Sequence, residues 1–189
     1  NCHCEFPPPL QGGDKGEVYL IDPFGGLKDI ENKIIRAVGK PEERFKEDYS
    51  RMLRTVRFAC QLDFDIEDTA WNALKTLSIH INDLLPSSLP SLQSLPSFPY
   101  VVPRETVGKE LVKAFYYNPI KALDLWDASG LLALLMPEMM PLKGCPQPPQ
   151  FHTEGDVWTH TRMALEALHS DAFKKEFSTE PTADATLIM

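Results

Sequence analysis

The side chains best suited to chemistry lie close together: Glu47, Asp48, Arg51, Arg54 and Arg57. On a continuous helix, Asp48 and Arg51 sit at i, i+3 and point the same way. A carboxylate offers only acceptors, whereas a guanidinium offers a rigid fork of donors. Side by side they make a donor–acceptor pattern able to read the edge of a base. Arg54 and Arg57 extend that face and can reach phosphates. The same spacing suits plain helix salt bridges, Glu47–Arg51 and Asp48–Arg51, worth roughly 0.2–0.5 kcal/mol each. Spacing alone leaves both readings open.

Other chemistry-bearing residues are more dispersed. Cys2-His3-Cys4 could hold a metal, yet a zinc site needs a second ligand pair, and none lies nearby. Asp63-Phe64-Asp65 has Asp-x-Asp spacing, but it follows the arginine-rich helix and reads as a helix–helix turn. Four scattered cysteines do not make a disulfide framework, and Cys60 falls on an apolar helix face as a buried thiol would. A reducing cytoplasm is the expected setting.

These residues must be positioned by a helical body. Of 189 residues, 43% are apolar and 24% charged, a globular composition, and the net charge is −8. Residues 33–57 carry eight basic and four acidic side chains, so this stretch is locally positive within an acidic chain. That pattern suits a protein that grips phosphates at one place. No run reaches the roughly 20 apolar residues that span a bilayer, so no membrane association is expected. The chain opens on Asn1 and closes on an apolar run at Met189, and it is expected to be a piece of a longer protein.

Alternation predicts short strands over residues 17–22 and 33–38, with a helical turn at 27–32 between them. Pro41 opens a long helix in which Met52, Leu53, Val56, Ala59 and Cys60 share one face. A second helix is predicted over 65–85. Residues 86–103, rich in proline and serine, read as a surface loop. Helices follow at 105–117, 119–128 and 131–135, with Gly130 as a cap and Pro137 as a stop. Beyond a proline-rich linker, Asp156 can cap a helix reaching Leu168. Trp71, Trp126 and Trp158 are expected to pack into cores.

The run Ile21-Asp22-Pro23-Phe24-Gly25-Gly26-Leu27-Lys28-Asp29-Ile30, then Ile35-Arg36-Ala37-Val38-Gly39, then residues 43–59 with Glu47-Asp48-Tyr49-Ser50-Arg51 and Arg54-Thr55-Val56-Arg57, resembles the bacterial class II tRNA nucleotidyltransferases, the CCA-adding enzymes, and their poly(A) polymerase relatives. The resemblance covers about residues 17–168. It implies that Asp48 and Arg51 read the incoming nucleotide, with Glu47 in support and Arg54 and Arg57 beside them. It gives Asp22 and Asp29 structural roles, and it implies two-metal chemistry with Mg²⁺ whose aspartates lie upstream. Thr106 stands where the family usually has an arginine, with Arg104 as the candidate substitute. Residues 151–161 resemble the opening of an HD-type phosphohydrolase domain. That likeness makes His160 a ligand for a divalent metal, with the defining His-Asp pair beyond Met189.

The expectation is therefore a mainly α chain, a helical neck and body preceded by a short β remnant of a nucleotidyltransferase head domain. Residues 1–40 end the head, 41–140 form neck and body, 141–150 link, and 151–189 begin a truncated HD-type domain. The resemblance implies an enzyme that adds CMP and AMP to the 3′ end of tRNA, with tRNA, CTP and ATP as partners, and a fragment inactive alone. The alternatives are a poly(A) polymerase or A-adding enzyme, or a non-catalytic helical RNA-binding module. Neither oligomeric state nor any HD activity follows from the sequence.

Overall fold

Met52, Leu53, Val56, Ala59 and Cys60 recur at helical spacing, and all are buried along one face of α3 (Ser50–Leu62). The structure, a computed structural model, describes residues 21–85, 100–148, 150 and 152–177. The apolar face of α3 packs chiefly on α5 (Arg104–Tyr117) and also on α6 (Pro119–Ala128). Beside it, α2 (Pro41–Glu47) lies against α4 (Asp68–Leu77). The short α7 (Leu131–Leu135) closes the core against α6 and against a 3-10 turn at Ser78–Asn82. Leu74, Ile81, Leu123, Trp126, Leu131 and Leu132 fill the interior with no more than 1% exposure. Each such aliphatic side chain contributes about 1.5–3 kcal/mol on leaving water.

Local chemistry sets where these helices begin and end. Proline occupies the first position of both α2 and α6, where no backbone donor is needed. The Asn118 side chain accepts the Lys121 amide at 3.0 Å, and Glu67 accepts the Ala70 amide at 3.0 Å, so α6 and α4 are capped. Gly130, at φ 80°, reverses the chain between α6 and α7 in a conformation costly for other residues.

The mainly α expectation holds, and α5, α6 and α7 fall where the spacing predicts. The β expectations need correction. Strand β1 is only Ile34–Ile35, and it pairs in parallel with a second strand, β2 (Asp65–Ile66), inside the stretch predicted as helix. Asp63, in the left-handed conformation at φ 53°, ends α3 and sends the chain into β2, so Asp63-Phe64-Asp65 is a helix-to-strand turn. The helix predicted over 65–85 therefore starts at Asp68 and tightens to the 3-10 turn after Leu77. Ile21 and Asp22 are not in a strand, and the rest of the 17–22 strand lies outside the described residues. Cys2-His3-Cys4, residues 86–99 of the proline-serine loop and residues 178–189 also lie outside them.

Ahead of β1, α1 (Gly26–Glu31) matches the predicted turn. Pro137 ends α7 but opens a 3-10 turn at Pro137–Leu142, so the linker begins inside regular structure. Then come α8 (Val157–His169), capped by Asp156 as expected, and α9 (Asp171–Phe177), which the sequence reading did not place. Trp126 is a core residue, while Trp71 and Trp158 pack half-buried against the core. Among the described residues no helix is long and apolar enough to cross a membrane.

Candidate functional site

The predicted base-reading residues surround a break in the helix. Glu47 is the last residue of α2, and Asp48 adopts an extended conformation (φ −158°, ψ 103°) before α3 begins. Aspartate favours such breaks because its carboxylate competes for local amides. Here Asp48 Oδ1 accepts the Ser50 amide at 2.9 Å. Tyr49 stacks on His80 with ring centroids 5.2 Å apart, which fastens the junction to the 3-10 turn. Asp48 and Arg51 are thus not i, i+3 partners on one helix, as the sequence reading assumed. The pair that closes is Glu47–Arg51.

Arg51 Nη1 donates to Glu47 Oε2 at 2.6 Å and to the Arg44 carbonyl at 2.9 Å. Arg44 Nη1 donates to the same Glu47 oxygen at 2.6 Å. The hydrogen bond from Arg51, with the charge of Arg44 beside it, holds the Glu47 carboxyl below its ordinary value. Arg51 keeps its Nε and Nη2 donors, and the exposed Asp48 keeps Oδ2, with no partner among the described residues. Arg54, one turn on, is exposed and also without a partner among the described residues. The junction therefore offers acceptor, donors and a free cation together.

Arg57 is already paired. Its Nε donates to Glu110 Oε2 at 2.5 Å, its Nη1 to Gln61 at 2.7 Å, and its guanidinium lies over the Phe58 ring. The Arg57 and Glu110 side chains are only 12% and 14% exposed. Arg57 is thus held in the α3–α5 seam. Glu110 was missed, although a signal existed: it shares the inward face of α5 with Val107 and Ala114, and a carboxylate there requires a cationic partner. Arg104, the candidate substitute at the altered arginine position, donates to Asn82 Oδ1 at 2.8 Å and lies over Tyr100.

Asp22 and Asp29 act structurally. Asp22 accepts the Gly26 and Leu27 amides at 2.7 and 2.9 Å, which holds its carboxyl below the ordinary value. Asp29 takes the Arg36 guanidinium at 2.9 Å, and Arg36 also reaches Glu67 at 3.4 Å. Asp63 and Asp65 both face Lys121 Nζ, at 3.1 and 3.8 Å. The two solvent-facing carboxylates share this one lysine at the helix-to-strand turn.

At the other end, His160 has company that the sequence reading passed over. Its Nδ1 lies 2.5 Å from Glu154 Oε1, and His152 Nδ1 lies 3.0 Å from the same oxygen. The two imidazoles meet edge to face at 4.9 Å. The Glu154 backbone amide, then His152 and His160, pull this carboxyl down to about 2. The available signal was the His-x-Glu run just ahead of the capping aspartate. Asp156 Oδ1 accepts the Thr159 amide at 2.9 Å and Oδ2 the Gly144 amide at 2.6 Å.

No family model matches the chain. It is 61% identical over 62 residues to the CCA-adding enzyme of Ligilactobacillus salivarius, covering 33% of this chain and 15% of that one. The similarity to the multifunctional CCA proteins of Nitrosospira multiformis (33% identity over 148 residues) and Halorhodospira halophila (35% over 149) covers 78% of this chain. The chain spans 31% and 32% of those two relatives. A solved CCA-adding enzyme in complex with ATP superposes at TM-score 0.46 and 23% identity, over 82% of this chain and 36% of that one.

Proposed function

We infer that this chain, which belongs to the CCA-adding tRNA nucleotidyltransferase family, is the part of such an enzyme that selects the incoming nucleotide. The observation that carries this reading is the 33–35% identity to multifunctional CCA proteins across 78% of the chain. In this reading the whole enzyme transfers CMP and AMP from CTP and ATP to the 3′ end of tRNA in the cytoplasm. Residues 1–40 end its head, 41–140 form neck and body, 141–150 link, and 151–189 begin an HD-type domain in which His160 holds a divalent metal.

The work of the segment falls on the α2–α3 junction. Asp48 Oδ2 and the free Nε and Nη2 of Arg51 present acceptor and donors to a base edge. Glu47 supports them by occupying Arg51 Nη1, which fixes the guanidinium plane. Arg54 meets phosphate, and Arg57 keeps α3 seated on α5. A bound Mg²⁺ supplies stabilisation of the charge that develops during transfer. In this reading its aspartate ligands lie upstream of this segment.

The test is equilibrium binding of all four nucleoside triphosphates to the chain, wild type beside D48A and R51A. CTP and ATP should bind more tightly than UTP and GTP, and either substitution should remove about 1–3 kcal/mol of that discrimination. Preference for ATP alone selects a poly(A) polymerase or A-adding enzyme. Equal binding of all four by the wild type overturns base reading and leaves an RNA-binding module that grips phosphate.

A further inference from the structure

We propose that His152, Glu154 and His160 form a divalent-metal site of the zinc class, its three protein ligands supplied within one short stretch of chain. One ligand atom from each lies within 4.8 Å of the others. Zinc bonds of about 2.0–2.2 Å set tetrahedral ligand atoms roughly 3.3–3.5 Å apart, so side-chain adjustments on the order of 1 Å close the site. Two imidazoles and a carboxylate are a donor set of open zinc centres, which leave a fourth position for solvent or substrate. Both histidines already aim Nδ1 at one carboxylate oxygen. A cation bound at both Nδ1 atoms leaves each neutral ring with its proton on Nε2.

The backbone holds this arrangement in place. Gly155, at φ 119°, turns the chain between Glu154 and the cap of α8. Asp156 ties that turn to Gly144, the Val157 amide donates to the Cys145 carbonyl at 3.1 Å, and the His152 amide donates to the Pro148 carbonyl at 3.1 Å. His152 and Glu154 therefore sit on a tied loop, and His160 sits on the first turn of α8 that follows it. The His160 side chain is 48% exposed, which gives the cation a way in. His152 also lines a surface cavity whose wall includes Gln147. The Gln147 Nε2 atom is buried without a hydrogen-bond partner. An unmet donor of that kind costs about 1–3 kcal/mol.

This site shares only His160 with the HD expectation and requires no His-Asp pair. It involves neither α2 nor α3, so its failure would leave nucleotide selection standing, and the reverse also holds. The experiment is zinc binding to the full chain in competition with a chromogenic chelator, alongside the visible absorption of the cobalt-substituted protein. The wild type should bind one zinc and give tetrahedral cobalt bands. H152A, E154Q and H160A should each weaken binding on the order of tenfold or more and abolish those bands. H80A, which removes an imidazole elsewhere, should bind as the wild type does. The shape-conserving H152N repeats the test should circular dichroism show that H152A has lost helix. Absence of zinc binding by the wild type overturns the proposal. Wild-type affinity in H152A and E154Q overturns it too, as does weakening by H160A alone, which would mark a site built from other ligands.

Discussion

Two helices of this molecule have the same length and are held by different physics. Both α3 and α8 run for 13 residues. The first buries five side chains, and Met52, Leu53, Val56 and Ala59 have no exposed surface. No described side chain of α8 is buried, and Met163 and Leu168 are about half exposed. Trp158 and Leu165 of α8 pack half-buried against the core, and much of the rest of its seating is polar: the Asp156 cap, the two-pronged bond from Arg162 to Asp124, and Lys143, which holds Asp127 and covers the Trp158 ring. Length and amphipathic pattern therefore do not make a core helix. A complementary apolar surface does, and α5 offers one to α3.

The contrast can be broken most forcefully from inside. L53A removes a fully buried side chain and should cost about 2–5 kcal/mol, read as a fall in the urea midpoint of the whole cooperative transition. R57A should cost less, about 1.5–3 kcal/mol, because it leaves Glu110 unpaired in the α3–α5 seam. The double variant R57A/E110A should cost less than the two single losses added together. On α8, D156A should cost about 0.5–2 kcal/mol, seen as faster amide exchange within α8 and unchanged exchange in α3.

Acid sharpens the same comparison. Hydrogen bonds from the Thr159 side chain, the Gly144 amide and the Thr159 amide hold Asp156 down at about 2, below its ordinary value of 3.8. A depressed carboxylate stabilises fully above its unfolded pKa and loses that contribution as pH falls through the folded one. Circular dichroism and exchange should therefore show α8 fraying between about pH 4 and pH 2 in the wild type, and less additional fraying in D156A, where Glu154 alone of the two depressed carboxylates remains. The smallest effect belongs to R162A, about 0–1 kcal/mol and vanishing at high salt, since both of its partners are solvent-facing. Thiol labelling marks the same divide without mutation. Burial pushes Cys60 up to about 11, so it should react only on unfolding, whereas the exposed Cys145 should react in the native state.

The sequence spoke clearly where a residue's role depended on its neighbours in the chain. The buried face of α3, the cap at Asp156 and the turn at Gly130 are local facts, legible from period and residue type. It spoke less clearly where the role depended on a partner far away. The β1–β2 pairing joins stretches about 30 residues apart, and two-residue strands leave no alternation to detect. Arg57 looked like a phosphate ligand because its partner Glu110 lies 53 residues on. The break at Asp48 was readable in principle, since aspartate after an α2 that opens on proline suits a second helix start. Glu154 and His152 went unread because lone residues on a loop carry no period at all.

The small parallel pair between Ile34–Ile35 and Asp65–Ile66 has a mechanical meaning. It fastens the entry to α2 to the exit from α3, so the bend at Asp48 lies inside a closed loop. Force applied to the chain ahead of Ile34 does not simply peel that end away. It is delivered, through the ladder bonds from Asp65 N to Lys33 O at 2.8 Å and from Glu67 N to Ile35 O at 3.0 Å, to the far end of α3. Whatever precedes β1 is thus tied, through that pair, to the C-terminal end of the helix that bears Arg51 and Arg54.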